Sequence, residues 1–276
     1  MKILVTGASG KTGRAVVNGL SKHPVEIRAW ARRAFDRSEQ VEPFMGDMQS
    51  PADWETALSG IDKLYHICPN MHPREIKIGQ MGLSAASAAG VRHFVYHSVL
   101  HPQVEEMPHH WNKMRVEELL FASGIPFTIV QPTAYMQNLG PQLQAISQTG
   151  ALQLPYPPET RISLIDLQDL AEAVAVILTA DAYVGATLEL VGTRPLSQHE
   201  VAAEFSMGLD QPVVAEEINL AEWAAGNPQL PEYTRETLLA MFRYYANYGL
   251  VGSPAVLKAV LGREPTSLAD WIRSTR

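Results

Sequence analysis

The sequence predicts an α/β fold: a doubly wound parallel sheet with a small, mainly helical C-terminal lobe. Three observations carry that expectation. Lys2-Ile3-Leu4-Val5-Thr6 is an apolar, β-branched run of the kind buried on both faces of a parallel sheet. Gly7-Ala8-Ser9-Gly10-Lys11-Thr12-Gly13 follows at once, placing glycines three apart where a strand must turn sharply into a helix. Strand-like runs then alternate with helix-length segments, the order expected of βαβ units.

Glycine turns also serve ordinary strand–helix corners. Here the strand before, the helix after and the place at the start of the chain all agree with a dinucleotide-binding turn. A backbone without side chains lets a pyrophosphate approach closely, and the helix turns its unpaired N–H groups and positive dipole end toward it. The spacing is G-x-x-G-x-x-G instead of the commoner G-x-G-x-x-G. Thr6 to Gly13 therefore resembles the short-chain dehydrogenase/reductase superfamily, in its extended and atypical branches.

Val25 to Ala31 reads as the second strand and ends in Arg32-Arg33, with no acid before Asp36. A carboxylate near this position serves the ribose 2′-hydroxyl of NAD, whereas arginine accommodates a 2′-phosphate; the alternative is a solvated basic loop. A short third strand is expected near Pro43-Phe44-Met45-Gly46, closing in Asp47-Met48. Ser50-Pro51-Ala52-Asp53 then opens a helix, with serine as N-cap, proline in the first turn and an acid three residues on. Ile61 to Pro69 supplies strand four, stopped by Pro69. Cys68 has no flanking base and reads as a small apolar residue. A helix from about Arg74 to Ala89 follows, with Gly82, Ala85, Ala86, Ala88 and Ala89 as a close-packing face, and Val91 to Ser98 is strand five.

The next helix carries the most informative departure. The superfamily places Tyr-x-x-x-Lys there, with both side chains on one helix face. Lys113 fits the lysine, but the residue four before it is His109. Lys113 reads either as the ribose-holding lysine or as a surface residue paired with Glu117 at i,i+4. His109 could take the tyrosine's place, yet a cationic Lys113 one turn away disfavours the imidazolium, and a neutral imidazole is a poor acid. Tyr96, His97 and Tyr135 also lie near strand ends as conceivable donors. A protein so equipped is expected to favour acceptors that make a weak demand for a proton, such as quinone-like, iminium or conjugated compounds, over simple ketones.

Gly124 to Pro132 gives strand six, and Thr133 to Asn138 the loop after it. The run Ser-Gly-Ile-Pro-Phe-Thr-Ile-Val-Gln-Pro-x-x-Tyr-Met-x-Asn resembles the NmrA-like branch of the superfamily, many of whose members lack the catalytic tyrosine. Arg161 to Ile165, a helix from Asp166 through Leu178 and a strand over Thr187 to Val191 are expected to return to the same sheet. From the capping box Ser197-Gln198-His199-Glu200 onward the pattern is helical: Pro231 to Asn247, Pro254 to Leu261 and Ser267 to Ser274. Tyr244, Tyr245 and Tyr248 recur at helical spacing, which reads as core packing. The expected organisation is a nucleotide-binding core over 1–150, with 160–192 rejoining its sheet, and a substrate-side lobe over 193–276.

The resemblance implies an NADP(H)-dependent oxidoreductase. Its cofactor residues would be Gly7, Ser9, Gly10, Lys11, Thr12, Gly13, Arg32, Arg33, Asp47, Met48, Ile67, Cys68, Pro69, Lys113 and Pro132. Asp47 would sit beside the adenine or merely cap its turn. Lys113, His109 and Tyr135 would be the catalytic group. The rival from another class is an NADP(H)-binding redox sensor that has lost chemistry and signals through a protein partner. A nucleotide-sugar epimerase is a weaker third reading without the tyrosine.

At 276 residues, with 46% hydrophobic and 18% charged, the chain has the make-up of a soluble globular protein. It has no apolar run of roughly eighteen residues for a membrane span and no room for a signal peptide before the first strand. One cysteine suits a reducing, cytoplasmic setting. The net charge of −7 argues against nucleic acid as a partner. The expected partner is a small-molecule substrate, with a homodimer left open. Nine histidines show no metal-binding spacing, and no G-x-S-x-G elbow marks a serine hydrolase.

Overall fold

The computed structural model describes residues 1–33 and 38–275; Asp36 lies outside the described residues. The first elements alternate as β1 (Lys2–Val5), α1 (Lys11–Leu20), β2 (Glu26–Ala31), β3 (Val41–Met45), α2 (Pro51–Leu58) and β4 (Lys63–His66). They continue as α3 (Glu75–Ala88), β5 (His93–His97), α4 (Pro108–Ser123) and β6 (Phe127–Pro132). Next come β7 (Ala134–Tyr135), α5 (Leu143–Thr149), β8 (Ala151–Leu154), β9 (Arg161–Ile162), β10 (Leu164–Ile165), α6 (Leu167–Thr179) and β11 (Thr187–Leu190). The chain closes with β12 (Leu196–Ser197), α7 (Gln198–Leu209), β13 (Val214–Glu217), α8 (Leu220–Ala225), α9 (Glu232–Tyr248), α10 (Ala255–Leu261) and α11 (Leu268–Ser274).

Seven strands form one sheet in the order β11-β6-β5-β4-β1-β2-β3. From β3 to β6 every pairing is parallel. This is the expected doubly wound α/β fold. The strand order reverses between β1 and β4, and in such sheets ligands bind outside the carboxyl ends of strands at that reversal. Thr6 joins those two ends: its hydroxyl donates to Ile67 O at 2.9 Å and accepts from Ile67 N at 2.8 Å.

On one side, Leu4, Trp30, Leu64, Phe94, Tyr96 and Ile129 share a core with Trp54 of α2, Ile78 and Leu83 of α3, and Val116 and Leu120 of α4. The small residues of α3 make that packing close. A Cβ on Gly82 would stand 2.9 Å from the Trp54 ring, and one on Gly79 would stand 2.7 Å from Val116. Elsewhere α1 meets α6, with Gly19 against the Ala171 backbone.

The third strand starts at Val41, two residues before the expected Pro43. Proline inside a strand is tolerated here because β3 is an edge, where the missing N–H leaves no ladder bond unmade. The Ser50 cap forms as read, its side chain accepting from Asp53 N. The Ser197–Glu200 capping box also forms.

The chain divides into two compact units. One comprises Met1–Gln103, His109–Gln131 and Leu170–Leu188; the other comprises Val104–Pro108, Pro132–Asp169 and Glu189–Arg276. In the second unit the Arg161 to Ile165 strand proves to be two pieces that leave the main sheet. β9 pairs with β12, and β10 pairs with β7 within the expected loop over Thr133 to Asn138. β13 pairs in parallel with β8, so the C-terminal part is not purely helical. Asp169 ties that part down, accepting from Arg263 at 2.7 Å and Thr266 N at 2.6 Å. Of the three tyrosines, only Tyr245 is buried; Tyr248 is 65% exposed.

Candidate active site

The glycine turn is built as its spacing predicts. Gly7 adopts φ +62°, a conformation side chains resist, and its carbonyl accepts from Gly10 N at 2.9 Å. A Cβ on Gly13 would lie 2.2 Å from Gly7 O, so the third glycine lets the helix close onto the turn. Gly10 is extended and exposed, and a Cβ there would meet only Gly7 O, at 3.2 Å. No side chain caps α1, and its first turn carries no acid. An anion at this helix start would face N–H groups and a favourable dipole without carboxylate repulsion.

Around the turn, Ser9 is half-buried, Lys11 exposed, and Thr12 buried. Ile67 abuts Gly7, and Pro69 is half-buried two residues on. Arg32 and Arg33 stand exposed just past β2. Met48 and Cys68 bury their side chains in the core, so what they offer a ligand is backbone. Burial, with Glu75 close by, pushes the Cys68 thiol up, in keeping with an unreactive residue. Asp47 fulfils the turn role: its side chain accepts from Gln49 N at 2.9 Å. Pro132 ends β6 and is buried, while Tyr135 is half-buried in β7 of the second unit.

Lys113 and His109 project from the first turns of α4 toward a residue the sequence reading missed. Lys113 Nζ donates to Glu75 Oε1 at 2.7 Å and to His97 O at 2.9 Å, and lies 5.4 Å from the centroid of the Tyr96 ring. Glu75 is 1% exposed and Lys113 4%. The expected i,i+4 partner, Glu117, is occupied elsewhere, taking the Ser98 hydroxyl and the Gln131 amide, the latter at 2.9 Å. The alternative of a surface lysine is thereby overturned. No local spacing reveals Glu75, because 38 residues separate it from Lys113.

Burial alone would raise the Glu75 carboxyl, but Lys113 and then His109 outweigh it and bring it down to about 2. His109 Nδ1 lies 3.6 Å from Glu75 Oε2, at ion-pair distance and too long for a hydrogen bond. The charge of Lys113 is thus balanced within the protein by the Glu75 carboxylate. Tyr96 is fully buried, its hydroxyl donating to Glu75 Oε1 at 3.3 Å; burial and Glu75 push it well above its ordinary range, which removes it as a ready donor. His97 is 5% exposed, its Nδ1 2.5 Å from the Tyr65 hydroxyl, and burial with Lys113 keeps its ring neutral.

Among the described residues, no cluster of three or more His, Cys, Asp or Glu could hold a metal ion, and no helix is long and apolar enough to cross a membrane.

The profile of the NmrA-like family matches residues 1–272. The NAD(P)H azoreductase of Xenophilus azovorans is 29% identical, over 99% of this chain and 97% of its own. Quinone oxidoreductase 2 of Escherichia coli (strain K12) is 24% identical, over 98% and 97%. Among solved structures, NmrA, a negative transcriptional regulator, superposes with a TM-score of 0.84 at 18% identity, covering 99% of this chain and 94% of that one.

Two outcomes follow from the geometry. Gly13→Ala should destabilise the protein by roughly 2 kcal/mol or more through its backbone clash, while Gly10→Ala should change stability by less than about 1 kcal/mol. Urea unfolding midpoints decide this, and equal effects would refute it. Because the folded Glu75 carboxyl lies below its ordinary 4.5, its stabilisation is complete above that pH and is lost as pH falls toward about 2. Wild-type stability should therefore drop across this window more steeply than that of Glu75→Gln; parallel curves would show that the ion pair contributes nothing.

Proposed function

The chain belongs to the NmrA-like family, and from that premise we propose that it is an NADPH-dependent reductase of small conjugated acceptors such as quinone-like, azo or iminium compounds. The observation that carries the cofactor is the turn over Gly7 to Gly13, backed by a helix start without cap or acid, at the reversal of strand order. The donor set fits a dinucleotide. Gly7, Ser9, Gly10, Lys11, Thr12 and Gly13 would hold the pyrophosphate, and Ile67, Cys68 and Pro69 would border its middle. Asp47 and Met48 would flank the adenine, and Pro132 would lie by the nicotinamide.

Arg32 and Arg33 are assigned to the 2′-phosphate, because both are exposed at the end of β2. Lys113 donates hydrogen bonds from its ammonium to Glu75 and to the His97 carbonyl, so a further N–H of the three is assigned to a ribose hydroxyl. The bound cofactor would supply a hydride, and the protein's own part is to orient the acceptor and deliver a proton. His109 and Tyr135 are the assigned catalytic side chains, and residues 193–276 are assigned to acceptor selection. Relatives named as an azoreductase and a quinone oxidoreductase support the conjugated class, since both groups spread the charge that hydride delivery creates. A second copy of the chain as partner, and a cytoplasmic setting, belong to the same proposal.

Titration calorimetry tests the cofactor. NADPH should bind at least about tenfold tighter than NADH, the effect of a charge-assisted phosphate contact. Arg32→Asp should reverse much of that preference, and Gly10→Val should abolish binding while leaving a folded protein. Equal dissociation constants for the two cofactors in wild type would overturn the assignment. NADPH binding without turnover on any quinone, azo dye, imine or activated alkene would favour the regulatory reading.

A further inference from the structure

Glu75 Oε2 and His109 Nδ1 are both buried polar atoms without a hydrogen-bond partner among the described residues, and they face each other at 3.6 Å across α3 and α4. An unmade hydrogen bond at such atoms is costly, and a closer approach of a few tenths of an ångström would satisfy both at once. We propose that Glu75 is the positioning residue that makes His109 the proton donor of the reduction, holding a proton on Nδ1 so that Nε2 serves the acceptor. The proposal rests on the reductase reading above.

The groups around His109 favour this division of labour. From α3 comes Glu75, whose other oxygen is occupied by Lys113 and Tyr96. From α4 come Lys113 and His110, and from β5 comes His97. Burial and His109 itself bring His110 down to about 3, and burial with Lys113 keeps His97 neutral. Lys113 and Glu75, which face this cluster, compensate each other's charge. Carboxylate Oε2 is left as the acceptor for an imidazole N–H. This is the logic by which a buried carboxylate fixes the tautomer of a catalytic histidine and stabilises its imidazolium. Nδ1 is sealed, so the 10% of the His109 side chain that stays exposed lies elsewhere on it.

The proton and electron count closes. With a quinone or azo acceptor, hydride brings two electrons and the negative charge that develops falls on oxygen or nitrogen. The Nε2–H bond of the His109 imidazolium breaks as the new O–H or N–H bond forms. The ring is left neutral, with its Nδ1 proton toward Glu75, and solvent reloads Nε2. The acid supplied in this way does not depend on the missing tyrosine.

Two measurements test the proposal, one of them independent of turnover. Imidazole ¹⁵N NMR of the cofactor-free protein at pH 8 should show His109 as the Nδ1–H tautomer. In Glu75→Leu/Lys113→Met, which removes both charges together and so leaves none unpaired in the core, His109 should change to Nε2–H. Wild-type His109 already in the Nε2–H form would overturn the role of Glu75. With a quinone or azo acceptor, whose anion is already stabilised, His109→Ala should lower kcat about tenfold, less than the full contribution of a positioned acid. NADPH affinity should stay within about twofold, and added imidazole should restore part of the rate. A His109→Ala rate within about threefold of an active wild type would overturn this proposal alone. A wild type that consumes no NADPH with any acceptor would overturn the reductase reading and the donor role together.

Discussion

The ion pair between Glu75 and Lys113 is the constraint on which the site depends. Each side chain is almost wholly buried, and an unpaired charge at such depth costs several kcal/mol. The pair therefore fixes where α3 and α4 stand. Because Lys113 also donates to the carbonyl of His97, the last residue of β5, the same ammonium holds the helix against the strand end. Tyr96 completes the enclosure, offering its hydroxyl to the carboxylate and its ring to the ammonium. His109, one turn before Lys113 on α4, inherits its position from this pair.

The sheet brings that pair and the glycine turn to one edge. β5, β4 and β1 are neighbours and all parallel, so their carboxyl ends share one rim. Thr6 bonds to both backbone groups of Ile67, locking the end of β1 to that of β4 where the strand order reverses. Gly7 then turns, and Gly13 lets α1 close behind it. Rigid strands set the spacing between the turn and the charged cluster, and neither element needs to find the other through a flexible loop.

Much of this was legible in the sequence wherever the determining interactions are local. The glycine spacing, the Ser50-Pro51-Asp53 helix start and the Ser197–Glu200 capping box each act within a few residues, and each formed as read. What was illegible depends on partners far apart in the chain. Lys113 had a local candidate in Glu117, but tertiary packing gave Glu117 to Ser98 and Gln131 and gave Lys113 to Glu75. The Tyr65–His97 contact likewise joins two strands, 32 residues apart. The two-residue strands β7, β9, β10 and β12 are too short to show any periodicity and exist only because partners pair with them.

A double-mutant cycle on folding stability with Glu75→Leu and Lys113→Met tests the central claim most directly. Each single substitution strands the other charge in the core and should cost about 3–5 kcal/mol, whereas the double variant, with apolar groups in both places, should lie near wild type. The account predicts strong coupling of this sign. Additive effects, with the double variant losing the sum of the singles, would contradict it.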